Sequence, residues 1–256
     1  MRVVGGLLQN RTYNVIIFVS MHILCIVALF HASKVGVLCL FLGWLLTDIG
    51  ISVGYHRLIT HKSFKAPPLA EKILTLFGLL AMQGGPLTWL AIHKTHHACS
   101  DSSEDPHSAS AGFIYSQFGW IFNSVANRKL ARFFAEAKKA YADNLWMIFL
   151  EQYNAHISVG LLVLAATTLP FATFLWAFPL RIVLVWHLTW LVNSIGHSAL
   201  EINAKPRNLP WLSLLTFGEG LHATHHCNPS SPNFGSKSLD WGGFIVSTFF
   251  SDRPKS

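Results

Sequence analysis

The sequence predicts an all-α integral membrane protein, with four transmembrane helices beneath a helical cap that carries three histidine clusters. Three observations predict it. Of 256 residues, 52% are hydrophobic and only 12% charged, against roughly 25% charged in a soluble domain, and the mean hydropathy is +0.41. Four apolar runs approach or reach the length of about 20 residues that a bilayer requires. Lys and Arg fall almost entirely on one side of those runs.

The first run covers about 15–31, after a short polar stretch with Arg2 and Arg11. It lacks a small-residue cleavage site and leads straight into a second run, so it reads as an anchor rather than a signal peptide. His31-Ala32-Ser33-Lys34 makes a tight connection, and 35–53 is the second span. Lys62–Pro68 is turn-like. Leu69–Met82 is apolar but short, fitting a buried or interfacial helix that ends at Gly84-Gly85-Pro86. Leu87–Cys99 is a helix, 100–110 a polar loop, and 112–154 mixes aromatic and basic residues as amphipathic surface helices do. The last two spans cover about 155–171 and 172–195, punctuated by Pro170 and Pro179. Arg181 falls inside the fourth and is expected to snorkel or lie at a helix end. The cap is then 54–154 and 196–256, and the whole chain is one membrane domain.

Four spans put both termini and the 54–154 segment on one face, with every Lys and Arg except Lys34 and Arg181. The positive-inside bias makes that face cytoplasmic. The net charge of +7 forms no basic tract, so it suits inner-leaflet anchoring and no nucleic-acid partner is expected. Cys25, Cys39, Cys99 and Cys227 form no C-x-x-C pair, so neither a disulfide framework nor a zinc knuckle is expected.

All three histidine clusters lie on the cytoplasmic face: His56 with His61, then His93-Lys94-Thr95-His96-His97, then His222-Ala223-Thr224-His225-His226. On a helix, residues three and four apart share a face, so His93, His96 and His97 are expected to aim at one point. His56 and His61, five apart, do not share a face of a straight α-helix. The helix must end, bend or change its contacts there, or the pair reaches different metals. Asn193 and His197, four apart at the end of the last span, add a further pair, with Asn193 able to bind directly or through water. Neutral imidazole is a common ligand for borderline metals, and one tetrahedral ion takes only four ligands. Eight or more histidines therefore suggest two metal ions between helices. Asp101, Glu104, Asp105, Glu219 and Asp48 are candidates to orient the imidazoles from behind. His22, His31, His156 and His187 are expected to pack rather than to ligate.

Several motifs carry a resemblance. Gly54-Tyr55-His56-Arg57-Leu58, Thr60-His61-Lys62-Ser63-Phe64, Gln83-Gly84-Gly85-Pro86, Ser100-Asp101, Asp105-Pro106-His107, Gly112-Phe113, Gly119-Trp120, Trp186-His187, Thr189-Trp190, Val192-Asn193-Ser194 and Phe217-Gly218-Glu219-Gly220 resemble the membrane fatty-acid desaturases in order and spacing. The similarity is greatest to Δ9 acyl-CoA and acyl-lipid desaturases, including the short cyanobacterial type, and runs from about Val35 to about Trp241.

The resemblance implies an O2-dependent fatty acyl desaturase with a non-haem di-iron centre. Such an enzyme takes two electrons from a separate carrier, a ferredoxin or small haem cytochrome with its reductase. It removes hydrogen from adjacent methylenes of a saturated chain, borne on CoA or a membrane lipid, and leaves a cis double bond. By motif match, His56, His61, His93, His96, His97, His197, His222, His225 and His226 are ligands and Asn193 holds a water near one iron. Gln83, Trp89, Thr189 and Trp190 match positions that shape the bend of the acyl tunnel. A flexible chain has many similar C–H bonds, so regiochemistry must come from where the tunnel holds one of them. The chain departs from the family at Ala223, where an Asn is usual, and in the turn-rich stretch after His226. No His-Pro-Gly-Gly motif occurs, so no fused haem domain is expected. Two other functions fit parts of the pattern: a di-iron membrane hydroxylase or ketolase acting on an alkane or carotenoid, and a metal transporter. A transporter should place its ligands deep within its spans, whereas these clusters sit at or beyond span ends.

Overall fold

Ser33 turns the chain between two apolar helices: its hydroxyl accepts a hydrogen bond from Gly36 N and so caps the second helix. These helices are α1 (Arg11–Ala28) and α2 (Lys34–Asp48). The computed structural model describes residues 11–123, 127–200, 204–235 and 238–250. Among them the fold is all-α, with one isolated bridge, Asn208 to Leu221.

The second apolar run does not stop at 53. It continues as a π-helix over Ile49–Thr60, so the continuous helix runs from Lys34 to Thr60. π-Helix is rare and usually confined to a single turn; here almost every residue of it is buried. Helix α3 (Pro68–Leu79) crosses it where Gly50 meets Gly78, so closely that a Cβ on Gly50 would lie 2.0 Å from Gly78 N. Small residues permit such close backbone approach between membrane helices.

Helix α4 (Pro86–Cys99) has no side-chain cap of its own. Its first N–H groups are satisfied instead by the buried carboxylate of Glu151, which accepts from Leu87 N and Thr88 N. Glu151 belongs to α7 (Leu145–Thr168), which follows the short α5 (Phe113–Gln117) and the surface helix α6 (Arg128–Ala140). Helix α7 begins ten residues before the expected 155, so 145–154 is part of this long helix rather than of a separate amphipathic one. A final apolar helix runs from Phe171 to Asn193 through α8 (Phe171–Leu175), a π-turn containing Pro179, and α9 (Arg181–Asn193), and a short turn then leads to His197. Helices α10 (Pro210–Leu215), α11 (His222–Cys227) and α12 (Trp241–Phe249) complete the fold.

Four helices are long and apolar enough to cross a membrane: Arg11–Ala28, Lys34–Thr60, Leu145–Thr168 and Phe171–His197. They expose large apolar side chains such as Ile16, Ile26, Leu38, Val163 and Leu164. Arg181 does not snorkel. It is 4% exposed and bonds to Thr47 Oγ1, Leu80 O and Ala177 O, tying α9 to α2 and to the end of α3. A charge in an apolar layer is tolerated when its donors are satisfied internally.

Candidate metal centre

The π-helix decides where the first two histidines point. Its i→i+5 hydrogen bonds wind the chain more loosely than an α-helix, so a residue five positions on returns close to the same side. His61 N donates to His56 O, and the two rings lie 4.7 Å apart between centroids. The pair thus faces one place without the helix ending between them.

The nine histidines sort into two groups. One holds His56, His61, His93, His97 and His225; the other holds His96, His197, His222 and His226. The expectation that His93, His96 and His97 aim at one point is therefore corrected. Each H-x-x-H-H motif divides: the i,i+4 pair serves one group and the histidine between serves the other. His93 and His97 join the first group while His96 turns to the second; His222 and His226 join the second while His225 turns to the first. Helices α4 and α11 each lie between the two groups and supply both. His197 sits in a short 3-10 turn after α9 ends at Asn193, not on a continuing α-helix.

Within each group the Nε2 atoms converge. Neighbouring Nε2 pairs are 2.8–3.2 Å apart. With a metal–nitrogen bond of about 2.1 Å, the edge of an octahedral coordination shell is about 3.0 Å, so the spacing suits a shared ion. In two rings of the second group the opposite nitrogen is held by a carboxylate. His96 Nδ1 donates to Asp105 Oδ2 at 2.8 Å, and His197 Nδ1 to Asp101 Oδ2 at 2.9 Å. Both Nε2 atoms then turn lone pairs toward one point, 3.1 Å apart, an arrangement that a cation between them satisfies. His56 Nδ1 lies 2.5 Å from Glu219 Oε2, angled away from an ideal ring N–H hydrogen bond.

Burial, followed by the mutual repulsion of imidazoles, holds these rings in the neutral form that metals require. It lowers His61 and His97 to about 2 and His226 to about 3, and takes His93, His96, His222 and His225 well below the usual range. Glu219 goes the other way: burial raises its carboxyl to about 7 against the pull of Arg57 and Ser52.

Not every candidate carboxylate reaches the histidines. Glu104 pairs with Lys129 at the surface, and Asp48 is buried at the end of α2 and joins neither histidine group. Cys99 donates to Thr95 O and Cys227 is exposed, so neither joins a metal group. Sequence reasoning missed the support behind Glu219. Arg57, fully buried, bonds to Glu219 and Asp240 and to Pro232 O. The signal was a charged residue in a long apolar helix, which requires buried partners. It also missed that His22 and His187 pair with each other, Nε2 to Nε2 at 3.0 Å, joining α1 to α9. His107 was missed too: it packs its ring 4.5 Å from that of His96, with Nδ1 3.6 Å from Asp105 Oδ1.

Gln83, Trp89, Thr189 and Trp190 line one cavity, and His93 and Asn193 open onto it. Apolar space thus runs up to the first group of histidines.

The family model for fatty acid desaturases matches residues 32–235. The chain belongs to the fatty acid desaturase family. It is 36% identical to an sn-1 stearoyl-lipid 9-desaturase of Anabaena variabilis, over 91% of this chain and 86% of the relative. It is 38% identical to an sn-2 palmitoyl-lipid 9-desaturase of a Nostoc species, over 93% and 84%. A Delta-9 acyl-lipid desaturase 2 of Arabidopsis thaliana is 31% identical over 90% of this chain and 75% of its own length. This desaturase is accordingly an oxidoreductase acting on fatty acyl chains, and the hydroxylase and ketolase alternative is not favoured. The centre of the desaturase described above is compatible with metal-dependent chemistry.

Proposed function

We propose that this desaturase introduces a cis double bond at the Δ9 position of a saturated acyl chain carried on a membrane lipid, using two iron ions held by the nine histidines. The observation that carries the reading is the pair of converging imidazole groups, the first opening through His93 onto an apolar cavity, with Glu219 behind the first and Asp101 and Asp105 behind the second. The stearoyl-lipid and palmitoyl-lipid substrates in the relatives' names favour a lipid-borne chain and the ninth carbon.

The irons would activate O2, and the overall change balances as one O2, two protons, two electrons and one –CH2–CH2– unit giving one –CH=CH– and two waters. The electrons come from a separate carrier, a ferredoxin or a small haem cytochrome with its reductase. The chain's own residues position the reactants. His56, His61, His93, His97 and His225 would hold one ion and His96, His197, His222 and His226 the other, with Asn193 able to hold a water near one of them. Asp101, Asp105 and Glu219 fix the rings of His197, His96 and His56. Gln83, Trp89, Thr189 and Trp190 hold one methylene pair below the centre and exclude water. The chain crosses the membrane four times, with the histidines and both termini on the cytoplasmic side, as the distribution of Lys and Arg favours.

The test is the fatty-acid profile of cells expressing this chain with a suitable donor, double bonds being located by mass spectrometry. A new Δ9 cis bond, lost in His96→Ala and His225→Ala variants that still insert, is the expected result. Unsaturation elsewhere overturns the regiochemistry. Oxygenated lipids without unsaturation overturn the reaction.

A further inference from the structure

The cavity that reaches His93 is bounded elsewhere by two long apolar helices. There it is lined by Tyr13, Asn14 and Ile17 of α1 and by Asn154, Ala155 and Ser158 of α7. Both helices are long and apolar enough to cross a membrane. In their deeper halves they share one apolar core, which includes Met21 and Ala28 from α1 and Leu162 and Ala165 from α7. Toward their other ends the cavity lies between them. Next to the lining residues in sequence, Val15 and Ile16 on α1 and Val159 on α7 are exposed, by 40%, 56% and 36%. Exposed aliphatic side chains beside the lining on both helices turn this part of the molecule toward hydrocarbon rather than water.

The chemistry of the lining narrows the occupant. Among the described residues no Lys or Arg lines the cavity. A nucleotide-borne thioester would bring phosphates, which are bound by Arg and Lys forks and point charges. What lines the opening is uncharged and polar, a phenol, two carboxamides and a hydroxyl, next to the apolar Ile17 and Phe18 that lead inward. Such a collar suits ester carbonyls and glycerol oxygens at the level of a bilayer interface, with hydrocarbon beyond it.

We infer that the acyl chain passes sideways out of the bilayer through the gap between α1 and α7, its lipid head staying at the membrane interface beside Tyr13, Asn14, Asn154 and Ser158. This inference rests on the reading of the histidine centre as the desaturating site. It assigns those four residues to the recognition of the ester region of a membrane glycerolipid.

The experiment uses the full chain in lipid vesicles with its electron donor. Ser158→Trp fills the opening, and Leu164→Trp places the same bulk on the lipid-facing side of α7, away from the opening. Ser158→Trp is expected to lower desaturation of vesicle lipid about a hundredfold, the scale expected of a misplaced reactant, with iron content unchanged, while Leu164→Trp keeps wild-type turnover. Wild-type turnover in Ser158→Trp overturns the inference. Because a tryptophan there can also disturb folding, a second measurement uses the unaltered protein: a glycerolipid with a photoactivatable diazirine on its acyl chain near the ester. Labelling of the α1 and α7 peptides containing 13–17 and 154–158 is expected. Desaturation with labelling only elsewhere, or turnover of acyl-CoA with vesicle lipid left untouched, overturns the route while the desaturase reading stands. Failure of the wild-type protein to desaturate any acyl carrier counts instead against that reading.

Discussion

Glu219 places one carboxylate oxygen 2.7 Å from Arg57 Nη1 and the other 2.5 Å from His56 Nδ1, so a single buried carboxylate ties a guanidinium to a candidate metal ligand. Arg57 extends the connection through Nη2 to Asp240 at 2.8 Å, and Asp240 in turn caps α12 at Gly243 N. Removing one partner of a buried ion pair leaves an uncompensated charge and costs about 3–5 kcal/mol. Arg57→Gln is therefore expected to destabilise the fold by roughly that amount and to loosen the group containing His56. Arg57→Lys should rescue little, since one ammonium cannot bridge two carboxylates as a planar fork does. Thermal unfolding in detergent together with metal content checks this; wild-type stability in Arg57→Gln would refute it.

The carboxylates behind the rings make a second prediction, selective by group. Asp105→Asn and Asp101→Asn weaken the support of His96 and His197, whereas Glu219→Gln weakens that of His56. Loss of such a partner typically lowers metal affinity about 10–100-fold. The Asp variants are expected to retain the ion of the five-histidine group and to lose the other under chelator challenge, and the Glu variant to do the reverse. Metal content per chain and Mössbauer spectra after iron-57 loading distinguish the two. Equal loss of both ions in every variant would show that the groups are not independent.

The nine histidines and the four apolar runs were legible in the sequence, because each rests on composition or on a local motif, whereas Gln83, Trp89, Thr189 and Trp190 were marked only by the resemblance to the desaturases. The sequence did not carry the division of each H-x-x-H-H motif between two groups. Face-sharing at i, i+3 and i+4 is a broad stripe, and which side of it a ring uses depends on the helix packed opposite. Nor did it carry the π-helix. The spacing of His56 and His61 was visible as a problem for an α-helix, but a looser winding has no residue signature. Gly50 and Gly54, which let α3 come close, are its nearest trace. Arg181 misled for a related reason: its partners Thr47 and Leu80 lie far away in sequence.

The crossing of Gly50 and Gly78 gives a third prediction. A Cβ on Gly50 would lie 2.0 Å from Gly78 N and 2.2 Å from Phe77 C, both backbone atoms that cannot swing aside. Gly50→Ala must push α3 away from the π-helix. Overpacking ordinarily costs about 1–3 kcal/mol, and a backbone clash lies at or above the top of that range. Gly160, with open space around it, is the control: Gly160→Ala should leave stability nearly unchanged. Unfolding midpoints decide, and a wild-type midpoint for Gly50→Ala would contradict the crossing.

The depressed imidazoles predict acid sensitivity of the metal-free protein. Seven of them, His61, His93, His96, His97, His222, His225 and His226, bind protons far less readily when folded than the ordinary value of 6.5. Below about pH 6.5 the unfolded chain therefore takes up more protons than the folded one, and stability falls as pH falls; above that value the effect disappears. Glu219, raised to about 7, works in the opposite sense, its contribution being lost as pH rises from about 4.5 toward 7, but it is one group against seven. The unfolding midpoint of chelator-treated protein is expected to drop steeply between about pH 7 and 5, and bound iron should blunt the drop. A flat profile without metal would show that the rings are not held neutral.

Trp190 supplies the last prediction, because its wall of the cavity is stiff. It is 5% exposed and stacks on Trp186 at 5.5 Å between centroids, with Trp120 edge-on at 6.5 Å. Trp186 is itself pinned by its indole N–H, which donates to Ala81 O at 2.7 Å. Such a wall limits how far an acyl chain can slide, and sliding by one methylene moves a different C–H pair beneath the centre. Trp190→Ala opens space beside Thr189 and is expected to convert a single double-bond position into a mixture of neighbouring ones, with metal content unchanged. A Trp190→Phe variant keeps most of the wall and should keep most of the selectivity. Double-bond positions by mass spectrometry decide the matter: an unchanged position in Trp190→Ala would remove this residue from the setting of regiochemistry, since the metal centre alone cannot distinguish one methylene from the next.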